Sequence, residues 1–171
     1  MGLHTLLLGE TGTGKSMFAE VMYEYAKEAG RIKSDAPFET FNCADYANNP
    51  QLLMSQLFGG KKGAYTGADK DKPGIIEKAD EGVLFLDEIH RLSPEGQEML
   101  FYLIDKGFYR KLGETEVCHS ADVLIICATT EDAESVLLKT FIRRIPMIIK
   151  LPALRDRTIE ERYNLTRYFL M

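Results

Sequence analysis

The stretch that decides the fold of this chain is Gly9-Glu10-Thr11-Gly12-Thr13-Gly14-Lys15-Ser16. It satisfies the phosphate-loop pattern, in which a glycine and four further residues precede Gly-Lys-Ser. An apolar run from Thr5 to Leu8 comes directly before it and is typical of a buried parallel strand. Apolar residues at helical spacing follow it, up to a predicted stop at Gly30. This order predicts a nucleotide-binding site rather than an incidental glycine-rich turn.

The residue types of this loop suit a nucleoside triphosphate. Glycines let the backbone turn so that its N–H groups converge on one point, where the N-terminus of the next helix adds partial positive charge. We expect Lys15 to reach the β- and γ-phosphates and the Ser16 hydroxyl to ligate Mg²⁺. The sequence therefore predicts a chain that binds a nucleoside triphosphate.

A second motif is an apolar strand that ends in the adjacent carboxylates Asp87 and Glu88. In P-loop proteins an acid at this point holds Mg²⁺, so Asp87 is the second predicted metal residue. A further acid beside it can deprotonate the attacking water, which is the role predicted for Glu88. The competing interpretation is a solvated strand end, and the phosphate loop in the same chain favours the catalytic one.

The composition indicates one ordinary globular domain over residues 1–171. Hydrophobic residues make up 45% of the chain and charged residues 27%, which suits a single well-buried core. The formal net charge of −5 disfavours a dedicated nucleic-acid-binding domain, which usually presents a basic face. No apolar run of about 18 residues is present, so neither a membrane span nor a signal peptide is expected. The scattered cysteines are interpreted as reduced thiols of a cytoplasmic protein.

Predicted strands and helices alternate along the chain. The segment Glu131–Thr140 is predicted to be helical, and Thr158 to Glu161 form a capping-box pattern at the start of the last helix. Alternation of this kind predicts a parallel sheet covered by helices on both faces, which is a three-layer α/β fold. The predicted strands are Thr5–Leu8, Phe38–Cys43, Val83–Glu88, Val123–Cys127 and Met147–Leu151.

A glycine- and lysine-rich segment, residues 59–74, separates the second strand from the acid pair. Tyr65 is the one aromatic residue in it. A loop of about fifteen residues inside a compact domain is usually functional or disordered. Two interpretations of Tyr65 stay open: it anchors a partner protein at the tip of the loop, or it folds back onto the domain.

Several segments together resemble one family. The loop Gly63-Ala64-Tyr65-Thr66-Gly67-Ala68 is similar to the signature Gly-Ala-Phe-Thr-Gly-Ala of bacterial enhancer-binding proteins, the AAA+ ATPases that remodel sigma-54 RNA polymerase. The pattern looks like the levanase-operon-regulator type, in which the ATPase domain adjoins phosphotransferase-system regulatory domains. Further matches are Asn42-Cys43-Ala44, Leu57-Phe58-Gly59, Leu84-Phe85-Leu86-Asp87-Glu88, Leu151-Pro152 and Leu154-Arg155-Asp156-Arg157.

The resemblance implies an AAA+ P-loop NTPase core with five parallel strands in the order 5-1-4-3-2. It implies ATP hydrolysis with Mg²⁺ in a homo-oligomer, which is a hexameric ring in the family. The implied partner is sigma-54 RNA polymerase, contacted by the loop around Tyr65 and Thr66. The chain is expected to be an excised domain, with the lid, the regulatory domains and any DNA contact lying outside it. The alternatives are a nucleotide-dependent binding module without hydrolysis and an AAA+ chaperone or protease component.

The resemblance also assigns roles to single residues. It implies that Asn42 holds Glu88 away from water until the nucleotide state changes. Thr130 stands where the family has an asparagine that senses the γ-phosphate, and its shorter side chain can still donate one hydrogen bond. Tyr65 replaces the family phenylalanine and adds a hydroxyl to the ring.

The resemblance further implies that arginines of one subunit act in the nucleotide site of its neighbour. Arg143 falls on one of the two family arginines that reach into the site of a neighbouring subunit. Leu137 occupies the position of the other, so Arg144 is the substitute candidate, and the sequence does not rank Arg143 against Arg144.

Overall fold

A five-stranded parallel sheet forms the centre of the structure, a computed structural model that describes residues 3–170, with side chains up to residue 167. The strands lie in the order β2-β3-β4-β1-β5, and every neighbouring pair is parallel. Read from the other edge, this is the predicted order 5-1-4-3-2, so the α/β fold is confirmed. The strands are β1 (Thr5–Leu8), β2 (Phe38–Asn42), β3 (Val83–Asp87), β4 (Leu124–Thr129) and β5 (Met147–Lys150).

Helices cover both faces of this sheet, and several begin with a side-chain cap. The Asn49 side chain accepts a hydrogen bond from the N–H of Leu52 at 3.1 Å. Thr158 and Glu161 cap each other's backbone N–H groups at 3.2 and 2.8 Å, which confirms the capping box. None of the helices within residues 3–170 is long and apolar enough to cross a membrane. The helices are α1 (Lys15–Glu28), α2 (Pro50–Phe58), α3 (Ile75–Lys78), α4 (Pro94–Lys106), α5 (Ala133–Val136), α6 (Lys139–Ile142) and α7 (Ile159–Leu170).

Two hydrophobic clusters sandwich the sheet. Because successive side chains of a strand point to opposite faces, Leu84 and Leu86 of β3 join one cluster while Phe85 joins the other. Leu100 of α4 packs in the first cluster and Ala19 of α1 in the second. The sheet is therefore buried on both faces, as expected for parallel strands.

The segment Glu131–Thr140 is not one helix, contrary to the sequence prediction. It contains the short helices α5 and α6, separated by Leu137 and Leu138 in extended backbone conformation. The N–H of Leu138 has its hydrogen-bond partner in another element, since it donates to Oε1 of the buried Gln97 in α4 at 2.8 Å. Leu137 is buried in the larger cluster. A tertiary hydrogen bond and burial of Leu137 thus replace the helical continuation.

The predicted loop over residues 59–74 is tied down at its base. Gly59–Gly60 pairs with Lys72–Pro73 as a short antiparallel ribbon. A second ribbon, Phe108–Tyr109 with His119–Ser120, carries a hairpin that lies beside it. The N–H of Lys61 donates to the Leu112 carbonyl at 2.9 Å and so connects this loop to the hairpin.

Candidate nucleotide-binding site

The phosphate loop follows β1 at the carboxyl edge of the sheet. Gly14 precedes the first residue of α1 in left-handed conformation, with φ 89°, which an L side chain rarely adopts. A Cβ atom on Gly9 would stand 2.7 Å from the Thr13 hydroxyl oxygen and 2.9 Å from the Leu151 carbonyl oxygen. Glycine is therefore required at both positions, and the loop keeps the tight curvature that suits phosphates.

Lys15 lies inside this curvature. Its side chain is buried with 7% exposed, and Nζ donates hydrogen bonds to the carbonyls of Gly9 and Glu10 at 2.8 and 2.9 Å. The Thr13 hydroxyl donates to the same Glu10 carbonyl at 2.9 Å. The loop thus encloses the Lys15 ammonium group. An entering phosphate would replace these two carbonyls as the acceptor of its hydrogen bonds.

The acid pair follows β3 at the same edge. Asp87 Oδ1 accepts a hydrogen bond from the N–H of Glu88 at 2.9 Å. Glu88 has left-handed backbone conformation, with φ 51°, which is uncommon for a residue with a side chain and is frequent at functional sites. Asp87 and the exposed Ser16 hydroxyl offer the hard oxygen ligands that Mg²⁺ prefers.

These residues fit a Mg²⁺ ion that is held together with a nucleotide. No cluster of three or more His, Cys, Asp or Glu that could hold a metal by itself occurs in the part of the chain that the structure describes. Mg²⁺ usually keeps several waters and is bound through one or two carboxylates plus substrate phosphates. The small protein ligand set is therefore the one expected for MgATP.

Glu88 lies in a polar cluster that reaches the phosphate loop. Its Oε2 accepts a hydrogen bond from the Thr130 hydroxyl at 3.2 Å and lies 3.4 Å from His90 Nδ1. His90 Nδ1 is also 2.9 Å from the Thr129 hydroxyl, and the Thr129 carbonyl accepts from the N–H of Gly9 at 3.3 Å. The structure thus brings the predicted base and the predicted sensor together beside the loop.

His90 was not predicted from the sequence. Its ring is mostly buried, and its contacts with Glu88 and Thr129 join the turn after β3 to the end of β4. The available signal was its place in the turn directly after the acid pair. A lone histidine in such a turn is more often an ordinary surface residue, so the spacing carried too little information.

Asn42 ends β2 directly beside Asp87 in the register of the sheet. Its side-chain oxygen accepts a hydrogen bond from the N–H of Ala44 at 3.0 Å and caps the short 3₁₀ helix that follows. Within residues 3–170 no hydrogen bond joins Asn42 to Glu88, so its switching role stays a prediction. Burial raises the pKa of the Cys43 thiol to about 12, and the nearby carboxylates of Asp87 and Glu88 add to the shift.

The two candidate arginines have different surroundings. Arg143 is exposed, and within residues 3–170 its guanidinium makes neither an ion pair nor a hydrogen bond. Arg144 is 3.3 Å from the Asp105 carboxylate and lies over the Phe101 ring, 5.3 Å from its centroid. Arg144 is thus engaged with α4 of its own chain, whereas Arg143 points into solvent.

Tyr65 folds back onto the domain in this structure. The buried Ser55 hydroxyl of α2 donates a hydrogen bond to the Tyr65 hydroxyl at 3.3 Å. Asp71 steadies the loop by accepting from the N–H of Lys62 at 2.9 Å and pairing with Lys61 at 3.0 Å, contacts that hold the pKa of its carboxyl below the usual value. Thr66 and Gly67 remain exposed at the tip. Partner contact by this loop stays a prediction.

Comparisons with known proteins agree with this geometry. Residues 1–151 match the family model described as a sigma-54 interaction domain. The chain is 61% identical over 169 residues to the transcriptional regulatory protein LevR of Bacillus subtilis (strain 168), covering 99% of this chain and 18% of LevR. It is 52% identical to the transcriptional regulatory protein DagR of Salmonella typhimurium (strain 14028s / SGSC 2262), again covering 99% of this chain and 18% of that protein. The chain thus spans about a fifth of the length of these relatives.

A solved structure supports the same fold. The crystal structure of NtrX from Brucella abortus in complex with ATP superposes with a TM-score of 0.74 at 25% identity. The alignment covers 90% of this chain and 32% of the NtrX chain. NtrX from the same organism has also been crystallised with ADP.

Proposed function

The chain belongs to the sigma-54 interaction domain family of AAA+ proteins, and on this premise we propose that it hydrolyses ATP with Mg²⁺ to remodel sigma-54 RNA polymerase in transcription activation. The main support for hydrolysis is the position of Glu88 at the edge of the phosphate loop. One of its oxygens accepts from Thr130. Its Oε1 accepts no hydrogen bond within residues 3–170 and can take a proton from water.

Each residue of the site has a separate part in this proposal. Lys15 transfers its hydrogen bonds from the loop carbonyls to the β- and γ-phosphates. Glu88 orients and deprotonates the attacking water, a contribution of about 10²–10⁴-fold when a general base is well placed. Thr130 holds the Glu88 carboxylate and senses the γ-phosphate. Mg²⁺, held by Ser16 and Asp87, would supply charge neutralisation at the phosphates.

Homo-oligomeric assembly belongs to the same proposal. The exposed guanidinium of Arg143 supports a role in trans, because it has no ion pair or hydrogen bond among the described side chains and is available to a neighbour's nucleotide. In the hexameric ring of the family, such an arginine completes the site of the adjacent subunit. Asn42 is the proposed switch partner of Glu88 in another nucleotide state.

The loop Gly63–Ala68 is the proposed contact with sigma-54. Its tip is exposed, and its base is held by the ribbon Gly59–Gly60 with Lys72–Pro73. Hydrolysis would be coupled to partner binding if the nucleotide binds more tightly to the domain with the loop in one position than in the other. The exposed Thr66 is then the residue to test, because its removal leaves the base of the loop intact.

Thr66→Ala tests the partner contact apart from the chemistry. We expect this variant to keep ATP turnover within about twofold and to lose capture of sigma-54 in the presence of ADP and aluminium fluoride. Lys70→Ala, an exposed change in the same loop outside Gly63–Ala68, is the matched control and should capture sigma-54 normally. Normal capture by Thr66→Ala would refute the loop contact.

A further inference from the structure

The chain after β5 packs directly against the phosphate loop. The N–H of Leu151 donates to the Leu8 carbonyl at 2.7 Å, and the Leu151 carbonyl closes on Gly9, where a Cβ would stand 2.9 Å away. Ala153 is buried at the same place. Residues 151–157, here called the clamp segment, therefore form one wall of the loop from the outside.

Arg155 of the clamp segment binds the side chain of Glu10 in a bidentate pair. Its two terminal nitrogens donate to the two carboxylate oxygens at 2.9 and 2.6 Å. The guanidinium holds the pKa of the Glu10 carboxyl below its usual value. A carboxylate in an anion-binding loop repels phosphates, and this pairing neutralises it and fixes its direction.

Arg157 fastens the same loop at a second point. It donates to the Thr13 carbonyl at 2.6 Å and, through Nε, to the Pro152 carbonyl of its own segment at 3.2 Å. Because the N–H groups of a phosphate loop must face the phosphates, its outward carbonyls need donors from outside the loop. Arg157 is such a donor, and the Thr13 carbonyl that it binds lies two residues before Lys15.

Contacts from outside the loop matter because Lys15 must change its hydrogen-bond partners when a nucleotide binds. Its ammonium now satisfies the carbonyls of Gly9 and Glu10, and it leaves them when it turns to the phosphates. At that moment the loop loses both hydrogen bonds from Lys15 and keeps the one from the Thr13 hydroxyl to the Glu10 carbonyl. Among the described residues, Arg155 and Arg157 are then the charged side chains that still hold its outer surface.

We propose that Arg155 and Arg157 are positioning residues for the nucleotide: they keep the phosphate loop in its binding shape and Glu10 directed away from the phosphates while Lys15 changes partners. This inference rests on the proposed ATP binding and adds the clamp segment to that site. It explains a motif, Leu154-Arg155-Asp156-Arg157, that the hydrolytic chemistry leaves without a role.

The inference predicts a rescue that a merely structural role would not give. Arg155→Ala leaves Glu10 charged and unpaired beside the phosphates, so ATP affinity should fall roughly three- to tenfold at low salt. Glu10→Gln in the same chain removes the repulsion and should restore affinity to within about twofold of the parent. The loss should shrink in high salt, because exposed charges are screened beyond about 10 Å at 0.1 M ionic strength.

The experiment measures ATP affinity by calorimetry for five proteins, at about 50 mM and about 500 mM NaCl. They are the parent, Arg155→Ala, the double variant with Glu10→Gln, Arg157→Ala, and Arg162→Ala as a control on an exposed arginine of α7. Circular dichroism verifies that each is folded, and should Arg157→Ala unfold, the Arg155 set alone decides.

Weakened binding by Arg155→Ala with rescue by Glu10→Gln and an unchanged Arg162→Ala supports the inference. Equal ATP affinities of the parent and Arg155→Ala would overturn the positioning role of the clamp segment alone. A loss of affinity that Glu10→Gln does not rescue would do the same. A parent that binds no ATP overturns the proposed function and the clamp together.

Discussion

Arg143 and Arg144 are adjacent in sequence but differ in their surroundings, which makes them a matched test of catalysis between subunits. Arg143 has no partner for its guanidinium within residues 3–170, whereas Arg144 is occupied by Asp105 and Phe101. We expect Arg143→Ala to lose ATP turnover at unchanged stability. Arg144→Ala should instead lose some stability and retain turnover.

General magnitudes for an arginine finger and for the contacts of Arg144 give the expected size of both effects. An arginine that neutralises the transferred phosphoryl group contributes about 10³–10⁵ in rate. That factor corresponds to about 4–7 kcal/mol of barrier, at about 1.36 kcal/mol per tenfold. Arg144→Ala removes an exposed ion pair and one cation–π contact, together about 1 kcal/mol of folding free energy. A loss of that size lowers the Tm by about 2–4 °C in a domain of this length.

The assay measures ATP turnover against protein concentration, with thermal unfolding in parallel. The specific activity of the parent should rise steeply with concentration, because a site completed in trans exists only after association. Mixing Arg143→Ala with Glu88→Gln gives the sharper test. The first variant keeps the base and the second keeps the arginine, so mixed oligomers should recover part of the turnover that neither has alone.

Three results would refute this reasoning. Parental turnover by Arg143→Ala would remove the arginine from the mechanism. Activity independent of protein concentration would place the whole site within one chain. A loss of turnover in Arg144→Ala, with Arg143→Ala unaffected, would reverse the assignment drawn from their surroundings.

Two further variants separate binding from chemistry. Lys15→Ala should weaken ATP binding at least about 100-fold, because each hydrogen bond from a charged donor is worth about 1.5–3 kcal/mol; calorimetry showing parental affinity would contradict this. Glu88→Gln should keep ATP affinity within about threefold and lose about 10²–10⁴ in turnover, and a variant that still hydrolyses ATP within twofold of the parent would exclude Glu88 as the base.

The sequence by itself determined the features that are written in local patterns. The phosphate loop, the acid pair after an apolar strand and the cap at Thr158 depend on backbone geometry over a few neighbouring residues. The strand order came from the family resemblance and is confirmed by the pairing of β1 between β4 and β5. Spacing along the chain is sufficient for such features because the groups that act together are close in sequence.

Only the tertiary structure decided which distant side chains meet. The break at Leu137 depends on Gln97 of another helix, and the docking of Tyr65 depends on the Ser55 hydroxyl. Arg155 meets Glu10 across nearly the whole chain, 145 residues away. No periodicity or spacing encodes these contacts, because they form where separate elements pack on one sheet, and that packing determines which polar groups find partners.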